Sequence, residues 1–124
     1  MTGRSRRHTD ERGVGTVLTA AVAMVLVVVT SAACTVVAWL ATVSDAQDAA
    51  DAAALAGASA MAEGLDGCDA ATLAARFNHA AVTECEVRGD HRGFVVELDV
   101  KMALHPKVPG FPEEVVRTAA AGTA

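Results

Sequence analysis

The chain has 124 residues, a formal net charge of -5 and 52% hydrophobic residues, yet only 3% aromatics. That length allows one small domain, and a shortage of aromatics leaves it a thin core, marginal without a disulfide or a neighbour. An acidic chain of this kind is a poor nucleic-acid binder.

The first segment, residues 1–12, reads as a basic leader: Arg4, Arg6, Arg7 and Arg12 outweigh Asp10 and Glu11. No charged residue then occurs between Arg12 and Asp45. A bilayer core needs about 20 apolar residues in a helix, so residues 13–44 are long enough to span. Leu26, Val27, Val28 and Val29 are the most apolar part, and Trp39 sits where an indole favours the membrane interface. Basic residues favour the cytoplasmic side, so the expected topology is single-pass, N-terminus cytoplasmic and C-terminus extracytoplasmic. Three export signals compete with an intact anchor: a cleaved signal peptide ending near Ala33, a lipoprotein signal at Cys34, and a twin-arginine signal at Arg6-Arg7. The apolar run is longer than a signal peptide requires. Ser31 stands where a lipoprotein signal carries Leu, and His8 to Glu11 lack the apolar residues a twin-arginine signal uses.

Residues 45–64 are Ala-rich without proline, which predicts that the membrane helix continues as a stalk. A helix from Val14 to Glu63 would be on the order of 75 Å long. Asp45, Asp48 and Asp51 form an acidic stripe on it, either a solvated face or a charge-matched contact with a neighbouring subunit. Its other faces carry mostly Ala and Gly, a surface suited to close packing against other helices.

Residues 65–124 predict a small extracytoplasmic α+β domain, a short helix on a small antiparallel sheet. Gly64, Asp66 and Gly67 end the first helix. A second helix is expected over Asp69–His79, with Asp69 as N-cap and the apolar Leu73, Ala74, Phe77 and Ala81 at helical spacing. Val82–Arg88 alternates, with Thr83, Cys85 and Val87 on one face and Glu84, Glu86 and Arg88 on the other. Gly89–Gly93 is the expected loop, and Phe94–Leu104 a half-buried strand with Phe94, Val96, Leu98, Val100, Met102 and Leu104 inward. Pro106, Pro109 and Pro112 interrupt regular structure. The tail from Val115 is left open between a third strand and disorder.

Cys68 and Cys85 bracket the second helix, and outside the cytoplasm they are candidates for a disulfide. Closing that loop would contribute about 3 kcal/mol. Cys34 reads as a small apolar side chain. His8, His79, His91 and His105 lack metal-ligand spacing. No phosphate-binding loop or nucleophile elbow is present, so the expectation is no enzyme, no cofactor, no metal and no small-molecule substrate. Arg88-Gly89-Asp90 spells an adhesion tripeptide that a glycine-bearing hairpin loop produces by chance.

Glu11-Arg12-Gly13-Val14-Gly15-Thr16-Val17 is similar to the lead into the membrane helix of the TadE/TadG group of pilin-like proteins, from tight-adherence (Flp-type) pilus and secretion systems. Gln47 to Ala58 resembles that group's AADAAALAGA-type signature. Paired outer cysteines, the alternating strand and the Ala-rich end look most like a short actinobacterial TadE-like subfamily described by its helicase/secretion neighbourhood. The resemblance implies a minor pilin or pseudopilin. It would assemble through a helix carrying Asp45, Asp48, Asp51, Leu55 and Gly57, with the membrane, other pilin-like subunits and Tad-type secretion components as partners. It also implies leader cleavage at Gly13 or Gly15. Peptidase-cut pilins carry Glu five residues after the cleavage glycine; here Leu18 and Ala20 stand there. The alternatives are a membrane-tethered accessory or binding protein outside any filament, and a small effector secreted after signal cleavage.

Overall fold

The computed structural model describes residues 7–90 and 92–123, with side chains from 13 onward. The order of elements is α1 (Arg7–Ala62), α2 (Gly67–Phe77), β1 (Ala81–Asp90), β2 (Gly93–Ala103) and β3 (Glu114–Thr123). The class is α+β: a long N-terminal apolar helix, a short helix and a three-stranded antiparallel sheet. The chain divides into two compact units, Met1–Val37 and Ala38–Ala124. The second unit begins before the predicted stalk, because the stalk supplies part of its core. α1 begins at Arg7 rather than near Val14, as nothing from there to Gly13 breaks a helix. The leader residues Arg4 and Arg6 and the side chain of His8 lie outside the described residues.

Sheet order is β1-β2-β3, so β2 is central and takes the burden of the core. Its inward residues Phe94, Val96, Leu98 and Val100 are buried, as the alternation predicts. Leu104 is also buried, just past the strand end. β3 settles the tail as a strand, with Ala119 opposite Leu98, Ala121 opposite Val96 and Arg117 opposite Val100. The hairpin joining β1 and β2 is tighter than predicted. Gly89 pairs with Phe94 and Asp90 with Gly93, so both strands run into the predicted loop.

β1 departs from the simple alternation at its start. The register shifts between Val82 and Glu84, which makes Thr83 the extra residue of a β-bulge. Val82, not Thr83, therefore joins Cys85 and Val87 on the core side. Thr83 is exposed, and its hydroxyl donates to the Asp99 carbonyl at 3.3 Å. A bulge and a charged outer face both blunt an edge strand against unwanted pairing.

Two helix ends share one hydrogen-bond pattern. After α1, Leu65 N–H donates to Ala60 O at 2.8 Å and Gly64 N–H to Met61 O at 3.1 Å, with Gly64 at φ 77°. After α2, Ala80 N–H donates to Ala75 O at 2.9 Å and His79 N–H to Arg76 O at 3.1 Å, with His79 at φ 58°. Both are Schellman ends, which need a left-handed residue at the turn. The second uses His where glycine is the easier choice, and Ala80 and Ala75 supply its buried apolar contact. α2 is capped by Asp66, whose Oδ1 accepts from Asp69 N–H at 3.0 Å, so the N-cap lies three residues before the predicted Asp69.

The core is built largely of alanine. Ala49, Ala50, Ala53 and Ala54 of α1 and Ala71 and Ala75 of α2 form one cluster with Phe94, Val96, Leu98, Val100 and Ala119 of the sheet. Of the apolar positions expected to pack on α2, Ala74 is partly buried against the core, whereas Leu73 and Phe77 are 57% and 78% exposed and Ala81 is exposed. The reason is a close crossing of the two helices. A Cβ on Gly57 would lie 2.9 Å from the Gly67 carbonyl oxygen and 3.1 Å from Val96 Cγ1, and a Cβ on Gly67 would lie 2.9 Å from the Gly57 oxygen. At that approach only small side chains fit between the backbones, so α2 turns Ala71 and Ala75 inward and its large residues out.

Candidate functional site

The described chain presents two surfaces on α1 that need a partner or solvent. The first is the apolar run. Val14, Val17, Leu18, Leu26 and Val29 are each more than half exposed, far more apolar surface than a soluble protein leaves bare. The helix is long and apolar enough to cross a membrane, or to act as a signal sequence. Its polar side chains are dealt with locally. The hydroxyls of Thr19, Thr30 and Ser31 donate to the carbonyls of Gly15, Leu26 and Val27, each at 2.8 Å, and Thr35 donates to Ser31 O at 3.0 Å. A hydroxyl bonded four residues back leaves no donor unsatisfied in hydrocarbon. Gly13 and Gly15 have open space where a side chain would be, and Cys34 is a free, exposed thiol.

The second surface is the outer side of α1 within the folded unit. Asp45, Asp48, Asp51, Ala52 and Leu55 are exposed there, and Gln47 Nε2 donates to Asp51 Oδ1 at 3.0 Å. The sequence groups Gly57 with these residues as one helix surface. The structure separates them. Gly57 is buried against α2 and β2, and Ala49, Ala50, Ala53 and Ala54 lie under the chain's own sheet. The small residues that read as a surface for sister helices are covered intramolecularly.

The cysteines meet as the sequence suggests: Cys68 in the first turn of α2 and Cys85 in β1 form a disulfide, with Cα atoms 5.9 Å apart. It ties the short helix to an edge strand, where a core of alanines gives little hold.

Arg88-Gly89-Asp90 is not displayed on a loop. All three residues belong to β1, and their polar groups are engaged. Arg88 grips Glu86 with two hydrogen bonds, Nε to Oε1 at 3.0 Å and Nη2 to Oε2 at 2.9 Å, and approaches Glu97 at 3.7 Å. The hydrogen bonds and charge of Arg88 hold the Glu86 carboxyl below its ordinary range, and Glu86, with Glu97, raises the guanidinium. Asp90 Oδ1 accepts from Arg92 N–H at 2.9 Å.

A shallow groove runs between α1, the end of α2 and the end of β2, lined by Thr42, Asp45, Asp48, Phe77, His79 and His105. It is open to solvent and mixes acidic, imidazole and apolar groups. Among the described residues, no three His, Cys, Asp or Glu side chains gather closely enough to hold a metal ion. His91 lies outside the described residues.

Two contacts were not foreseen from sequence. One is the Gly57–Gly67 crossing, whose signal was a glycine on each side of the α1–α2 turn. The other joins Trp39 to the proline-bearing loop between β2 and β3. Its indole Nε1–H donates to Pro106 O at 2.9 Å, and its ring lies 4.9 Å from that of Phe111. The signal was an aromatic pair that the rest of this aromatic-poor chain does not use.

The chain thus joins an apolar N-terminal helix to a small antiparallel sheet. The architecture is pilin-like. Comparisons with family models, with curated proteins and with solved structures found no match.

Proposed function

We propose that the protein is a pilin-like structural subunit, a minor pilin or pseudopilin of a Tad/Flp-type pilus or secretion apparatus. It acts by helix–helix assembly and carries out no catalysis. The observation that carries this reading is the bare apolar surface of α1 from Val14 through Leu40. Such a surface calls for lipid or neighbouring apolar helices, and its hydroxyls are already bonded within the helix. The basic leader favours a cytoplasmic N-terminus, which puts the Cys68–Cys85 disulfide in an oxidising compartment. The partners on this reading are the membrane, other pilin-like subunits and Tad-type secretion components. Nucleic acid and small-molecule substrates have no place in it.

One observation favours a second reading, a membrane-tethered accessory protein that never enters a filament. The alanine strip of α1 is covered by the chain's own sheet and α2, so assembly has to use the apolar run and the exposed Asp48–Leu55 side instead. Cysteine scanning of the full chain in its native membrane, with Cys34→Ala as background, separates the two. Single cysteines at Leu18, Ala21, Val25, Val28 and Ala32, and at Asp48, Ala52 and Leu55, are tested for crosslinks to like helices. Assembly predicts crosslinks recurring at helical spacing. Their absence along both stretches discards the subunit reading and leaves the tether.

A further inference from the structure

The segment between β2 and β3 is an ordered loop, although its prolines suggested only an interruption. Leu104 N–H donates to Glu113 O at 2.8 Å and closes its base. Its tip is a turn over Val108-Pro109-Gly110-Phe111, where Phe111 N–H donates to Val108 O at 3.2 Å and Gly110 takes φ 84°. Proline followed by a glycine at positive φ is the type II arrangement, in which each residue supplies the dihedral its position needs. The turn sets Phe111 against α1. There the Trp39 indole bonds to Pro106 O at 2.9 Å, and the Thr42 hydroxyl is 3.4 Å from His105 O. The Thr42 hydroxyl donates to Ala38 O at 3.1 Å within the helix, so the Trp39 indole is the side chain that fastens the loop to α1.

These contacts leave Trp39 half-buried and Phe111 uncovered. Phe111 is 54% exposed, and Leu40, which follows Trp39 in α1, is 64% exposed. Beside them stand His105 and Lys107, both exposed, and Lys107 makes no ion pair among the described residues. Trp39, and Thr42 beside the loop, belong to the uncharged stretch that ends at Asp45. Whatever medium surrounds α1 at Trp39 must also reach Phe111, whose ring is 4.9 Å away.

We infer that the loop over residues 105–112 seats in the phospholipid headgroup layer of the bilayer that α1 enters. This rests on the membrane-spanning reading of α1. Phe111 and Trp39 occupy the boundary between headgroups and acyl chains, where aromatic rings are favoured. Lys107 reaches the lipid phosphates, its stem lying along the apolar boundary. The loop is a second membrane contact, distant in sequence from the first, and it fixes the height of the folded unit above the lipid. Its stiffness serves this role, because little conformational freedom remains to be lost on seating.

Depth-dependent quenching tests the assignment. The full chain, with Cys34→Ala and its disulfide intact, is reconstituted into phosphatidylcholine–phosphatidylglycerol vesicles. Single cysteines at Leu26, Arg92, Lys107 and Phe111 carry a polarity-sensitive fluorophore, and nitroxides are placed on lipid headgroups or mid-chain. The Lys107→Cys label leaves the Trp39–Phe111 pair in place, so a loop disturbed by Phe111→Cys does not decide the result. The expected outcome is several-fold stronger headgroup quenching at Lys107 and Phe111 than at Arg92, with mid-chain quenching at Leu26. Quenching at Leu26 while the loop labels behave like Arg92 overturns the loop assignment and leaves the span intact. Blue-shifted loop labels that lipid nitroxides do not quench also overturn it, in favour of a protein cover. An unquenched Leu26 removes the span, and the loop assignment falls with it.

Discussion

At the scale of the residue, the backbone decides more than side-chain chemistry does. Gly57 costs α1 about 1 kcal/mol of helix propensity relative to Ala, yet its missing Cβ is what admits the Gly67 carbonyl and Val96. Gly57→Ala is therefore expected to lower stability by about 1 kcal/mol or more, overpacking outweighing propensity. The control Ala52→Gly, on an exposed face of the same helix, should lose about 1 kcal/mol by propensity alone. A thermal melt of the full chain in detergent reads both, and a stabilised Gly57→Ala would contradict the close crossing. His79 presents the opposite case, a side chain held at φ 58° where glycine is at ease. His79→Gly should relieve the strain and gain roughly 0.5 kcal/mol, after the entropy glycine adds to the unfolded chain. The same melt checks it.

At the scale of the element, β2 was legible from sequence and α2 was not, for one physical reason. A central strand buries one whole face, so alternation marks Phe94, Val96, Leu98 and Val100 without ambiguity. A short helix pressed close to another helix selects small residues for its inner face, which inverts the usual hydrophobic signal. Ala71 and Ala75 are buried while Leu73 and Phe77 are not. The bulge at Thr83 was equally invisible, because it shifts the face by one residue without any change in composition. With so little large apolar surface under α2, the disulfide carries much of its attachment. The double replacement Cys68→Ala, Cys85→Ala is expected to lose about 3 kcal/mol. Urea unfolding in detergent measures it, and a midpoint equal to that of the parent would show that the alanine contacts suffice. The candidate assembly residues split at this scale too: Asp45, Asp48, Asp51 and Leu55 are on view, and Gly57 serves the fold.

At the scale of the whole molecule, one helix contributes to two different kinds of burial. Its first part carries apolar side chains left bare among the described residues, and its last part carries alanines that the sheet covers. Membrane insertion depends on the first part. Leu26→Asp should cost about 3 kcal/mol of insertion free energy, shifting the protein from the carbonate-resistant membrane fraction toward the soluble one. Retention at the parental level would argue against a span centred there. The sequence by itself determined the membrane-length helix, the central strand and the cysteine pair, since hydropathy, alternation and paired cysteines are local or compositional signals. Tertiary structure alone decided what the alanine strip touches, which face of α2 is inward, and where the Pro106–Pro112 loop docks. Alanine is compatible with water, lipid, a sister helix or its own sheet, so its spacing carries no address. Only the approach of Gly67, β2 and the loop to α1 in space supplies one.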